Sequence, residues 1–136
     1  MADTVIACLT PPGKAGVATI GVRGPHAWAI ARELFQPSQG SLPELPATNK
    51  FWYGKIGITH ADSAILASKQ ASPPRLEIHC HGGIEIVRFV QELFVQRGAV
   101  IISWQEYLSD SSGLLDMLAN APTLRTACLL YTSRCV

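Results

Sequence analysis

The chain has no apolar run long enough to cross a bilayer, no CxxC pair, no block of like charge and no phosphate-binding glycine loop. The first absence excludes a helical membrane anchor, which needs about 20 consecutive apolar residues. The N-terminus MADTVIACLTPPGK has no basic segment ahead of a hydrophobic one, so it does not read as a secretory signal. Cys8, Cys80, Cys128 and Cys135 are isolated in sequence, which argues against a disulfide framework and for a reducing, cytoplasmic setting. Charged residues are only 15%, Lys+Arg 11 against Asp+Glu 10, and they form no basic stripe. A stand-alone nucleic-acid binder needs such a stripe, so any RNA partner must be held by other segments. In TPPGKAG, Lys14 is followed by Ala15 and no glycine stands at the Walker spacing, so no nucleotide site is encoded there.

What is present is a core. With 136 residues and 48% hydrophobic content, the chain suffices for one globular domain. Residues 3–10, DTVIACLT, form a β-type run stopped by Pro11-Pro12-Gly13. In VATIGVRG, alternation puts Ala18, Ile20 and Val22 on one face and Val17, Thr19, Gly21 and Arg23 on the other. Gly24-Pro25 ends that strand, and Trp28, Ala31, Leu34 and Phe35 recur at helical spacing, so a helix is expected from about Pro25 to Phe35. The proline-rich QPSQGSLPELPATNK reads as a surface loop, and FWYGKIGI and SAILAS read as strands. After RLEIHCH, Gly82-Gly83 opens a second helix with an apolar stripe of Ile86, Val87, Val90, Leu93 and Phe94, stopped at Gly98, and AVIIS follows as a strand. This alternation predicts an α/β (α+β type) fold: a two-layer mixed β-sheet with helices packed on one face.

The stretch RLEIHCHGG carries the chemistry. As a strand it points Leu76, Ile78 and Cys80 into the core and Glu77, His79 and His81 out of the other face. Three readings are open. The two histidines with Glu77 can form a metal site, although three ligands from one strand suit a tetrahedral ion poorly and His26 and His60 stand apart. The same residues can be a solvated polar face. Or Glu77 can clamp a ligand.

TPPGKAG, GPHAWAIARELF, LEIHCHGG opening a helix and VQRGA closing it occur in an order and spacing that resemble the N-terminal domain of the MnmE (TrmE) family of tRNA-modifying GTPases. The resemblance runs from about Asp3 to Tyr107. It implies a mixed-sheet domain, similar to the folate domain of the glycine-cleavage T-protein, that forms a homodimer and binds 5-formyl- or 5,10-methylene-tetrahydrofolate. The family's folate-binding glutamate falls on Glu77, and its binding arginine aligns with Gly21, with Arg23 on the same predicted strand face. A pterin presents an amino group and a ring N–H side by side, and a carboxylate accepts both at once. The family's SFTGED-like approach to the glutamate strand is replaced by SKQASPP, and its later lysine motif has no counterpart in SDSSGLLDMLA.

By the same resemblance, the full protein modifies the wobble uridine of tRNA together with an MnmG-like flavoprotein, with GTP, Mg and K in a GTPase domain that this chain lacks. No catalytic residue is expected here, and a divergent interaction module that has lost the cofactor is the alternative. Residues 1–108 are read as this domain, 109–127 as the start of a truncated helical domain, and 128–136, CLLYTSRCV, as non-native tail resembling translated adapter sequence.

Overall fold

The computed structural model describes residues 3–10 and 16–109. The expected helical segment at 109–127, beyond Ser109, and the tail at 128–136 lie outside the described residues. Strand β1 (Val5–Cys8) leads into β2 (Val17–Arg23), helix α1 (Ala27–Leu34), and strands β3 (Phe35–Pro37), β4 (Lys50–Ile56), β5 (Asp62–Gln70) and β6 (Arg75–His81). Helix α2 (Ile84–Val95), strand β7 (Val100–Ile101) and the short helix α3 (Trp104–Ser109) complete it. The strands form one seven-stranded sheet in the order β3-β4-β5-β6-β2-β1-β7. Among the described residues only the β1–β7 pairing is parallel, so the sheet is mixed, as alternating strand and helix patterns predict.

One face of the sheet carries the main core. Ile6, Ile20, Val22, Leu66, Leu76 and Ile78 are fully buried and pack with Ile30, Leu34, Val90 and Phe94 from α1 and α2. Each such side chain contributes roughly 1.5–3 kcal/mol on burial, which fixes the register because a one-residue slip would expose the whole row. The predicted inward set Leu76, Ile78 and Cys80 is therefore buried, as is Ala18 with Ile20 and Val22.

Helix α1 starts two residues later than expected because the chain first turns through Gly24 at φ +131, where a Cβ would stand 2.5 Å from the Cα of Thr4. Thr4 Oγ1 then accepts a hydrogen bond from the His26 amide at 3.0 Å, so the residue ahead of β1 caps the helix that His26 itself does not. The proline-rich loop is pinned by Trp28, whose Nε1 donates to the Pro43 carbonyl at 3.1 Å while its ring meets Trp52 at 5.5 Å. Leu42 of that loop is buried, and Phe35–Pro37 pairs with β4 instead of ending the helix.

No periodicity in the sequence announces helix α3. It lies on the opposite face of the sheet, where Tyr107 and Leu108 bury against Ala7 and Leu9 with Val5, Ile102 and Trp104 alongside. A second, smaller core thus covers β1 and its neighbour on the face that carries the polar residues of β2 and β6.

Candidate ligand-binding site

Strand pairing builds the site. On the face opposite the main core, Ala7 of β1 pairs with Gly21 of β2, Gly21 with Glu77 of β6, Glu77 with Ala67 of β5, and Ala67 with Phe51 of β4. The carboxylate of Glu77 thus rises from a row whose adjacent positions carry a methyl group or nothing. Small neighbours on a sheet leave lateral room for a group that lies flat on it.

That space is filled on one side. A Cβ built at Gly21 would meet the Tyr107 ring at 2.7 Å, so Tyr107 sits directly on the glycine. The Arg23 guanidinium lies over the same ring, 5.1 Å from its centroid, in a cation–π arrangement. Arg23 is paired in register with Arg75, so two cations face each other beside Glu77. Like charges directly opposite repel, and a neighbouring carboxylate offsets that repulsion. Burial pushes the Tyr107 hydroxyl up to about 12; Arg75 and Arg23 oppose the rise and Glu77 adds to it.

Glu77 departs from the sequence expectation. Alternation predicts a wet strand face, but Glu77 is 9% exposed, because α3 and Tyr107 cover the sheet beside it. Burial of a carboxylate is costly unless charges or hydrogen bonds meet it, so the position is built to hold an interaction. His79, on the same face, stands with Nε2 3.4 Å from Glu77 Oε1 and Nδ1 3.2 Å from Thr19 Oγ1. It is half-buried, and it lines an open depression of roughly 220 Å³ together with Val17, Tyr53, Ile65 and His81. That depression begins one row along the sheet from Glu77, since Tyr53 pairs with Ile65 and Ile65 with His79.

The sequence-predicted residues are therefore only partly brought together. Glu77 and His79 approach each other, Arg23 shares their face, and His81 is exposed at the strand end. Among the described residues no three of His, Cys, Asp and Glu are gathered to hold a metal, which removes the geometry that the Glu77, His79 and His81 metal reading required. Cys80 points the other way, buried, with its thiol pushed up to about 11 by burial first and by Cys8 and Asp62 next, so it is a core residue. Tyr107 and Ala67 join the site without any local signal in the sequence. The glycine within strand β2 is the sign of a close approach, but nothing near it names the ring that arrives.

The family described as GTP-binding protein TrmE N-terminus matches residues 4–106. Relatives named tRNA modification GTPase MnmE include that of Carboxydothermus hydrogenoformans, 36% identical over 109 residues, covering 72% of this chain and 23% of the relative. That of Geobacter sulfurreducens is 36% identical over 107 residues, covering 71% and 23%. That of Enterococcus faecalis is 31% identical over 106 residues, with the same coverage of 71% and 23%. The chain spans about a quarter of the length of these relatives. Among the described residues no helix is long and apolar enough to cross a membrane. The match takes in every strand and helix described above but the last residues of α3, and the chain belongs to the TrmE N-terminal domain family.

Proposed function

We propose that this chain is the tetrahydrofolate-binding and dimer-forming N-terminal part of a tRNA-modifying GTPase, and that Glu77 holds the pterin by its donor edge. The observation that supports the reading is a carboxylate nine-tenths buried in a row of small side chains, with Ala67 on one flank and Gly21 on the other. In this reading Tyr107 occupies the Gly21 side, so the ring would approach Glu77 from the Ala67 side. A carboxylate in that place accepts from both the amino group and the ring N–H, a charge-assisted two-point contact worth roughly 1.5–3 kcal/mol. The carbon carrier would be 5-formyl- or 5,10-methylene-tetrahydrofolate, and GTP, Mg and K would belong to a separate GTPase domain. The wider partners in this reading are a second copy of the chain, an MnmG-like flavoprotein and tRNA held by the full complex.

Calorimetry with 5-formyltetrahydrofolate tests the assignment. Wild-type protein should bind, and Glu77→Ala should lose most of the affinity, by roughly tenfold or more on the scale of a lost charged hydrogen bond. No heat from wild type at millimolar ligand removes the cofactor. A dimer by equilibrium sedimentation in that same protein would leave the interaction module as the function.

A further inference from the structure

Thr19 of β2 and His79 of β6 are paired in register, so their side chains stand side by side on the sheet face that carries Glu77. Thr19 is anchored through its backbone: its amide donates to Thr10 Oγ1 at 3.1 Å and its carbonyl accepts from the Leu9 amide at 2.8 Å. Its hydroxyl lies 3.2 Å from His79 Nδ1, and the other ring nitrogen, Nε2, stands 3.4 Å from Glu77 Oε1. The imidazole thus bridges a fixed hydroxyl and the buried carboxylate. The roles of its nitrogens follow from these neighbours. An ionised carboxylate only accepts, whereas a threonine hydroxyl either donates or accepts. A neutral imidazole carries one proton, so the arrangement that suits all three groups has it on Nε2, toward Glu77, with the Thr19 hydroxyl donating to a bare Nδ1. The other tautomer turns the Nε2 lone pair on the carboxylate. At 3.4 Å, beyond the ordinary N–H···O range of about 2.7–3.2 Å, the contact is electrostatic, and its sign depends on which nitrogen carries the proton.

The terminal torsion of a glutamate is broad, so its own rotamers do not fix the carboxylate plane. A two-point contact needs that plane in one orientation. We propose that His79 is a positioning residue of the Glu77 site: with the Thr19 hydroxyl on Nδ1, its Nε2–H faces Oε1 and holds the carboxylate in the plane that accepts two donors from bound tetrahydrofolate. The inference rests on the folate reading and adds to it the cross-strand pair that orients the clamp.

Two measurements on the whole 136-residue chain test it. The first needs no ligand: a nitrogen–proton correlation spectrum of isotope-labelled histidine rings at about pH 8, above the usual imidazole titration. The His79 signals are identified by their loss in His79→Gln. Nε2 should carry the proton and Nδ1 none; a proton on Nδ1, alone or with one on Nε2, overturns the proposal. The second is calorimetry with 5-formyltetrahydrofolate. Glutamine places an amide nitrogen near the position of Nε2, whereas asparagine is too short to reach it. His79→Asn should therefore weaken binding by roughly tenfold and His79→Gln by no more than about threefold. Thr19→Val keeps the branched shape without the hydroxyl and should weaken binding by at least about threefold, while Thr19→Ser should stay within about twofold of wild type. Equal affinities of the asparagine and glutamine variants, or wild-type binding by Thr19→Val, overturn the proposal while leaving Glu77 its role. Urea unfolding of each variant separates loss of the fold from loss of the contact, and if Thr19→Val unfolds the glutamine and asparagine comparison decides. If wild type binds no folate, the cofactor reading fails instead, and the ring spectrum judges the Thr19–His79–Glu77 arrangement: a proton on Nε2 alone upholds it and one on Nδ1 discards it.

Discussion

A single methyl group at position 21 would meet a phenol ring that has nowhere to go. Alanine normally gains on glycine in a strand by roughly 0.5–1 kcal/mol through backbone entropy. Here the added Cβ would lie 2.7 Å from a ring carbon of Tyr107, and that ring is buried among Ala7, Leu9 and Leu108. Overpacking of this kind typically costs about 1–3 kcal/mol, so the clash outweighs the entropic gain. Gly21→Ala should therefore lower the urea midpoint by an amount corresponding to about 1–2 kcal/mol. The same change made in Tyr107→Ala should be neutral or stabilising. A destabilisation of equal size in both backgrounds would mean that the ring is not what the glycine accommodates. The same residue-level view separates the histidines: His79 is engaged with Thr19 and Glu77, whereas His81, two positions on, stands exposed, although the sequence presents them as equivalent.

At the scale of elements, the strands of the middle of the sheet were legible because period-two alternation survives in them undisturbed. Arg75–His81 is bounded as RLEIHCH suggests, and its inward residues are the ones that alternation selects. Helix α2 was legible from its stripe and from Gly98, which adopts φ +100 just past the last turn. Strand β3 was not, because three residues carry no period and its pairing partner β4 lies over a dozen residues away. Helix α3 was not either, since its six residues show no repeat and what holds Tyr107 is a distant strand. The burial of Glu77 was illegible for the same reason: the cover comes from α3, so local alternation could give the face but not its exposure. Helix α2 also has an improvable end. Its N-cap Gly83 sits at φ −64 and ψ 141, an extended conformation open to any residue, with no side-chain cap and open space within 4 Å of where a Cβ would stand. A serine there can accept from an orphan amide of the first turn and also narrows the unfolded ensemble. Gly83→Ser should raise stability by about 0.5–1 kcal/mol in urea titrations. A loss of stability would show that the glycine is needed for something other than the start of the helix.

Over the whole molecule, two buried acids on opposite faces of the same sheet make stability depend on alkaline pH. Cys80 belongs to the main core and its thiol is pushed from 9.0 up to about 11, by burial and then by Cys8 and Asp62. Tyr107 belongs to the smaller core and its hydroxyl is pushed from 10.0 up to about 12 by burial, against the pull of Arg75 and Arg23. In each case the folded state keeps a proton that the unfolded chain has already released. The folded chain therefore binds more protons between the two values, and the slope of unfolding free energy with pH is negative there. The contribution is fully present below about pH 9 for the thiol and is lost progressively up to about pH 11, with the phenol adding its loss from about 10 to 12. Denaturant midpoints should accordingly fall as pH is raised from about 8 to about 10.5 by ordinary global unfolding, which senses both cores at once. The comparison that isolates the thiol is Cys80→Ala. That variant is less stable at about pH 8 because it leaves a small cavity, but its midpoint should fall less steeply between about pH 9 and 10.5 than that of wild type. Parallel pH profiles for the two proteins would show that the thiol ionises as easily in the fold as out of it, and would remove Cys80 from the account of the alkaline loss.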